Sequence, residues 1–251
     1  RAATKLKERD LSQTFFEHAA AHQTTFYGQL AAEELGTPIS LDTNSSTSKM
    51  INLENFRQTN LLRPAQMLGE IGKPKLMKKF ILRMIEMTNG PSHAQFLANL
   101  PSLYSYPHVT IAAAKLLLRE GIFLPNELYP VPMQLVPDLE WNSKLEAALT
   151  LAVARQESEM NPSAISGSGA RGFMQIMPRT ARQVARNLNI NYDKKRLTND
   201  INYNILLGST YLHNLLKQYK GSYVIALAAY NAGPKVVKKW LQRYGDPRTN
   251  S

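Results

Sequence analysis

The chain has 251 residues, of which 43% are hydrophobic and 20% charged, with a formal charge of +11 and an isoelectric point near 9.8. This composition fits a globular chain with a buried core and excludes a wholly disordered or collagen-like one. Cysteine is absent, which removes disulfides and thiolate chemistry, and no apolar run reaches the ~18 residues of a membrane span.

Helical periodicity starts at the N-terminus. Residues 2–21 and 24–36 read as two amphipathic helices, the second stopped by Gly36. Residues 40–49 are the most polar stretch and read as a loop. Further helices are expected at 52–72, 74–89, 92–99 and 108–120, with Gly72, Gly90 and Gly121 at their ends. Short antiparallel pairs of this kind suggest a solenoid-like or bundled array. Prolines 125, 130, 132 and 137 then forbid a continuous helix across 124–138, which makes that stretch a connector. Beyond it a helix capped by Asn142 or Ser143 is expected to run to about Met160, before Pro162. A Gly/Ser-rich loop at 163–172 follows, then a helix started by Pro178, a polar loop at 187–196, and helices at 200–219, 222–232 and 234–244, the last stopped by Gly245. No strand-like alternation bounded by turn signals is present, so the fold class is all-α.

The charge is unevenly distributed. Residues 1–140 carry 14 basic and 13 acidic side chains, whereas residues 141–251 carry 16 and 6. A basic half of this kind favours anionic partners such as nucleic acid, an anionic membrane or an acidic polymer.

Chemistry is concentrated in the basic half. On the 142–160 helix, Glu157 continues the face of Thr150, Val153 and Ala154, and Glu159 lies about 200° around from it. Small apolar neighbours and the negative end of the helix dipole both push the Glu157 pKa upward, toward a proton donor at neutral pH. The alternative is a frayed helix end whose carboxylate reaches water. The loop Ser166-Gly-Ser-Gly-Ala-Arg-Gly172 can approach a ligand closely. In Phe173-Met-Gln-Ile-Met-Pro178, Gln175 sets an amide among apolar side chains, suited to an uncharged, hydroxyl-rich ligand such as a sugar; the competing reading has Gln175 capping a backbone group. The small-residue helix Ala226-Leu-Ala-Ala-Tyr-Asn-Ala-Gly233 ends in Tyr230 and Asn231, which either face a cleft or belong to close helix packing.

Three ordered motifs, Glu157-Ser158, Gly169-Ala-Arg-Gly-Phe-Met-Gln-Ile-Met-Pro178 and Ala228-Ala-Tyr-Asn-Ala-Gly-Pro234, closely resemble the soluble lytic transglycosylase family, whose catalytic domain is goose-type-lysozyme-like. Tyr203-Asn-Ile-Leu-Leu-Gly208 and the stretch from Trp240 to Gly245-Asp-Pro247 extend the resemblance over residues 128–247, and Phe173 stands where the family usually has Leu. Thr25-Phe-Tyr-Gly-Gln-Leu-Ala31 and Leu128-Tyr-Pro-Val-Pro-Met133 are similar to the family's helical superhelix and linker. The resemblance implies the end of a superhelical region at 1–45, a helical linker domain at 46–127 and a lysozyme-like catalytic domain at 128–251. The family continues past Gly-Asp-Pro, and this chain opens at Arg1 without a signal segment, so the expectation is a piece of a longer exported protein.

The resemblance further implies cleavage of the β-1,4 bond between N-acetylmuramic acid and N-acetylglucosamine of peptidoglycan, with formation of a 1,6-anhydro product. Glu157 serves there first as acid and then as base. Ser166 and Tyr230 are expected to hydrogen-bond near Glu157 or the substrate acetamido group, and Gln175, Met177 and Asn231 to line the sugar cleft. No metal or organic cofactor is implied, and the five His show no ligand spacing. The expected partner is the peptidoglycan glycan strand, not nucleic acid, in the periplasm of a Gram-negative bacterium. Two competing readings are a lysozyme-like hydrolase on the same scaffold and a non-catalytic basic helical protein that binds nucleic acid, the latter lacking a recognised motif.

Overall fold

The computed structural model describes residues 8–38, 60–88, 90–132 and 145–248. The fold is all-α, as expected. Among the described residues there is no strand, and the only ladder-like pairing is two isolated bridges, Ile165 with Arg171 and Arg171 with Ile176. The chain divides into two compact units, Arg1–Lys49 and Met50–Ser251.

In the first unit, α1 (Arg9–Ala20) and α2 (Phe26–Glu34) pair through a tight turn. Thr25 caps α2, its Oγ1 accepting from Gly28 N at 3.0 Å and donating to His22 O at 2.9 Å. A side chain at Gly28 would meet His22 O at 2.0 Å, so glycine is what lets the turn lie against the helix. The expected loop at 40–49 lies outside the described residues, as does the start of the helix expected from residue 52.

In the second unit the described residues form, first, α3 (Leu62–Glu70), α4 (Pro74–Glu86), α5 (Pro91–Asn99), a 3₁₀ turn (Leu100–Tyr104), α6 (Pro107–Arg119) and the short α7 (Pro125–Leu128). Proline opens α4, α5, α6 and α7, where its missing N–H has no helical partner to lose. On α4, Met77, Ile81, Met84 and Ile85 follow helical spacing and are buried against Leu97, Val109, Ala113 and Leu117. Each contributes roughly 1.5–3 kcal/mol by leaving water. The end assigned to Gly90 is corrected: α4 stops at Glu86, and Gly90 instead precedes α5, because Pro91 opens a new helix.

Six helices complete this unit: α8 (Ala147–Ser158), α9 (Pro178–Asn187), α10 (Arg196–Asn199), α11 (Ile201–Gln218), α12 (Tyr223–Ala232) and α13 (Pro234–Tyr244). The axis of this part is α11, which buries Tyr203, Asn204, Ile205, Leu207, Gly208, Leu212 and Leu215. Asp200 caps it, accepting from Tyr203 N at 2.9 Å. Val153, Ala154, Met160, Phe173, Met174, Ile205 and Leu212 form the core beneath α8, joined by Ile111 from α6. Two expectations change. The polar loop at 187–196 runs into α10, and α8 ends at Ser158 instead of Met160. The caps proposed at Asn142 and Ser143 lie outside the described residues; Glu146 is the residue preceding α8.

Candidate active site

The end of α8 is built by chirality, four residues before Pro162. Glu159 and Met160 both adopt left-handed backbone, at φ 54° and 63°, a conformation costing a non-glycine residue roughly 1–2 kcal/mol. Met160 N donates back to Ala154 O at 3.1 Å and Glu159 N to Arg155 O at 3.1 Å, which satisfies carbonyls that the terminated helix leaves open. Glu157 therefore sits in the final turn, one turn beyond buried Val153 and Ala154. Its side chain is half-buried and makes no hydrogen bond or ion pair among the described residues. Burial pushes its pKa above the usual carboxylate value.

Glu159 points the other way, as helical geometry requires, and is paired with Lys115 Nζ at 2.7 Å and Lys78 Nζ at 3.8 Å. The other acids of residues 141–251 are likewise engaged. Glu146 accepts from the Tyr223 hydroxyl at 2.8 Å, Asp193 from Lys195 N at 2.7 Å, and Asp200 pairs with Arg196 at 2.9 Å. Asp246 pairs with Arg248. Within that half, Glu157 is the described carboxyl left unengaged and partly desolvated.

The segment Phe173–Met174 is where the helices meet. Ser158 Oγ donates to Phe173 O at 2.6 Å, Asn204 Oδ1 accepts from Met174 N at 2.8 Å, and Tyr230 Oη donates to Met174 O at 2.8 Å. Helices α8, α11 and α12 are thus referenced to two successive peptide units, one of them bonded to Ser158, the neighbour of Glu157. Asn204 also donates to Arg171 O at 2.9 Å and Leu197 O at 2.8 Å, so its buried amide is fully used. Two glycines make room. A Cβ on Gly172, at φ 77°, would lie 1.9 Å from Leu197 O and 2.2 Å from Asn204 Nδ2. One on Gly208 would lie 2.7 Å from Met174 Sδ.

The expected site residues fall around this segment in different ways. Tyr230 is partly buried against the core and gives its hydroxyl hydrogen to this segment. Burial first, then the Glu157 charge and Tyr211, raise its pKa far above the usual phenol range, so the hydroxyl stays protonated. Gln175, left-handed at φ 49°, spends its Nε2 on Gly172 O at 2.8 Å and Ala164 O at 3.1 Å. The backbone-capping alternative therefore describes its nitrogen, while its Oε1 keeps its acceptor capacity. Ser166 is exposed and closes the glycine-rich loop, accepting from Ala170 N at 3.0 Å. Met177 is exposed at the start of α9, and Asn231 is exposed beside Tyr230 in the last turn of α12. Sequence reasoning assigned no role to Tyr211, whose ring lies 5.5 Å from that of Tyr230, nor to Lys78 and Lys115. Asn204 had a signal, an amide set within an apolar helical run.

Among the described residues no group of three His, Asp or Glu could hold a metal ion, and no helix is long and apolar enough to cross a membrane. A cavity of about 460 Å³ in the first unit, lined by Phe26, Gln29, Leu30, Glu33 and Thr37, is remote in sequence from all of these groups.

Residues 134–251 match the model of the transglycosylase SLT domain family. The second half of the chain belongs to that family. A Haemophilus influenzae protein, assigned by name and inference to the soluble lytic murein transglycosylases, is 30% identical over 231 residues, covering 90% of this chain and 37% of its own. The soluble lytic murein transglycosylase of Escherichia coli K12 is 38% identical over 99 residues, 39% of this chain and 15% of that protein. The crystal structure of the 70-kDa soluble lytic transglycosylase from Escherichia coli superimposes with a TM-score of 0.77 at 22% identity, over 96% of this chain and 38% of that one, a likeness of fold. The chain thus spans less than two-fifths of the length of these relatives. Within the SLT domain, Glu157, the Phe173–Met174 segment and Tyr230 all lie inside the matched region.

Proposed function

We propose that this chain carries the catalytic domain of a lytic murein transglycosylase, acting on peptidoglycan in the periplasm of a Gram-negative bacterium. The observation that carries this is the solitary state of Glu157: partly desolvated, without an ion-pair partner, while the other described carboxylates of residues 145–248 are engaged. An ordinary glycosidase needs a second free carboxyl about 5–9.5 Å away. One such group among the described carboxyls suits a reaction in which the same carboxyl works twice.

In the first step the Glu157 carboxylic acid gives its proton to the glycosidic oxygen, and the C1–O bond to N-acetylglucosamine breaks. The substrate's own acetamido oxygen stabilises the charge developing at C1. In the second step the Glu157 carboxylate takes the proton from the C6 hydroxyl of the same muramic residue as O6 bonds to C1. No water is consumed, the product is the 1,6-anhydro sugar, and Glu157 ends protonated for the next cycle. A raised pKa serves the first step, and partial burial strengthens the base in the second. Tyr230, whose hydrogen is given to Met174 O, presents its oxygen lone pairs as an acceptor near the acid. Ser166, Gln175 Oε1, Met177 and Asn231 supply polar and apolar surface for the sugars. In this reading residues 1–45 end a superhelical region, 46–127 form a linker domain and 128–251 the catalytic domain.

Digestion of purified sacculi tests the proposal. Muropeptides ending in 1,6-anhydromuramic acid are expected, and Glu157→Gln is expected to reduce turnover by at least about a hundredfold. Reducing muramic ends would assign a hydrolase instead. Near-normal turnover by Glu157→Gln would remove Glu157 from the chemistry.

A further inference from the structure

Glu159 is unusual on two counts. It is a β-carbon-bearing residue held in left-handed backbone at the first position past α8, and its carboxylate is reached by lysines of two linker helices. Lys115, on α6, donates to Oε1 at 2.7 Å across 44 residues of chain, and Lys78, on α4, lies 3.8 Å from Oε2. The two lysines come from separate helices and take separate oxygens, so the carboxylate is gripped from two directions. His108 lies beside the group, and burial together with Lys78 lowers its pKa to about 4. It is therefore neutral at pH 7 and leaves the two ammonium groups as the cations of the cluster. Four residues before Glu159, Arg155 donates to Leu128 O at 2.6 Å and stacks on the Tyr129 ring at 4.3 Å. The final turn of α8 is held through both Arg155 and Glu159.

We propose that Lys115, assisted by Lys78, is a positioning residue for catalysis, acting through Glu159 to fix the left-handed end of α8 and with it the direction of the Glu157 carboxyl. The linker helices α4 and α6 are in this view part of the catalytic apparatus. The proposal rests on Glu157 being the acid. Its physical basis is leverage: Glu159 is two residues from Glu157, and the backbone between them turns from right- to left-handed. Freeing the Glu159 side chain lets the final turn unwind into the loop and swings the Glu157 carboxyl. Misplacement of a catalytic group by about 1 Å costs on the order of a hundredfold in rate. Both partners of each pair are partly exposed, with side-chain exposures of 41% and 38% for the lysines and 30% for Glu159. Pairs so exposed add little to global stability. The consequence is therefore expected in kcat, not in melting.

The test uses Lys115→Met, Glu159→Gly, their double variant and Lys115→Arg, assayed on sacculi and on a soluble peptidoglycan tetrasaccharide. Glycine accepts the left-handed backbone without strain, so Glu159→Gly removes the grip without adding backbone strain of its own. Each single variant is expected to lower kcat about tenfold with KM within about twofold, and melting is expected to shift by only a few degrees. The double variant is expected to be no slower than the slower single one, because both break the same contact. Lys115→Arg should restore most of the rate. Wild-type kcat in Lys115→Met and Glu159→Gly, multiplicative losses in the double variant, or losses that track a drop in melting temperature would each overturn the proposal. Glu157→Gln run alongside separates the two ideas. If it is inactive while the Lys115 variants are normal, only the positioning role fails; if it is active, the reading of Glu157 fails.

Discussion

Glu157 and Glu159 are separated by one residue and have opposite environments, and the difference sets their chemistry. Glu159 is ion-paired with two ammonium groups, whereas Glu157 has apolar neighbours and a pKa raised by burial alone. The sign of the consequence is definite. A carboxyl whose folded pKa exceeds its unfolded value stabilises the fold fully below the unfolded value, near 4.5, and that contribution is lost as pH rises through the folded pKa. Glu157→Gln, a permanent mimic of the protonated form, is therefore expected to melt higher than wild type at pH 7. The gap should close below about pH 4. Thermal melts across that range check it. The same titration governs activity: kcat/KM is expected to fall on the alkaline side with an apparent pKa above that of a free glutamate, read from a pH–rate profile.

At the scale of elements, the fold holds its site through one peptide segment and the space around it. Gly172→Ala places a methyl group within van der Waals overlap of Leu197 O and Asn204 Nδ2 and strains a left-handed residue. A loss of more than about 3 kcal/mol is expected, measured by urea unfolding. Asn204→Ala leaves Met174 N and Leu197 O without their partner, while Arg171 O keeps Ile176 N, and at about 1–3 kcal/mol for each buried group left unpaired the cost is of similar size. These variants should lose activity in proportion to folded protein, unlike the Lys115 variants. The order of motifs along the chain was legible because Gly172, Gly208 and Asn204 are required by local sterics and hydrogen bonding. The early stop of α8 was not. Pro162 marks the latest possible end of that helix, and the real end comes from Glu159 and Met160 turning left-handed, a choice sustained by contacts made elsewhere in the fold.

Two expectations concern the whole molecule. His108 has a pKa lowered to about 4 by burial, Lys78 adding to it and Glu159 opposing. The unfolded chain binds a proton at that histidine near pH 6.5 and the folded one does not, so stability is lost as pH falls from about 6.5 to about 4. His108→Gln is expected to flatten this acid loss by about one proton's slope, measured by denaturant titration at several pH values. The second expectation concerns charge. The surplus of cations in the SLT half includes Arg179, Arg182 and Arg186 on α9, and Lys235, Lys238, Lys239 and Arg243 on α13, helices that carry no acid. Sedimentation with sacculi, whose peptide stems carry carboxylates, is expected to weaken severalfold between about 0.05 and 0.5 M salt.

What this sequence determined by itself is whatever depends on neighbours along the chain. Helical periodicity, the proline starts, the caps at Thr25, Asp200 and Ser222, the glycine turns and the face on which Glu157 lies all follow from stereochemistry within a few residues. What only the tertiary structure decided is which polar groups meet across the fold. Lys115 reaches Glu159 over 44 residues, Tyr230 reaches Met174 over 56, and the Gln175 nitrogen is consumed by its own loop while its oxygen is spared. Periodicity says which way a side chain leaves its helix, but a polar group's partner is set by the packing of distant helices. Glu157 was a candidate acid from its helix alone; it is an unengaged one because the neighbouring carboxylates found partners and it did not.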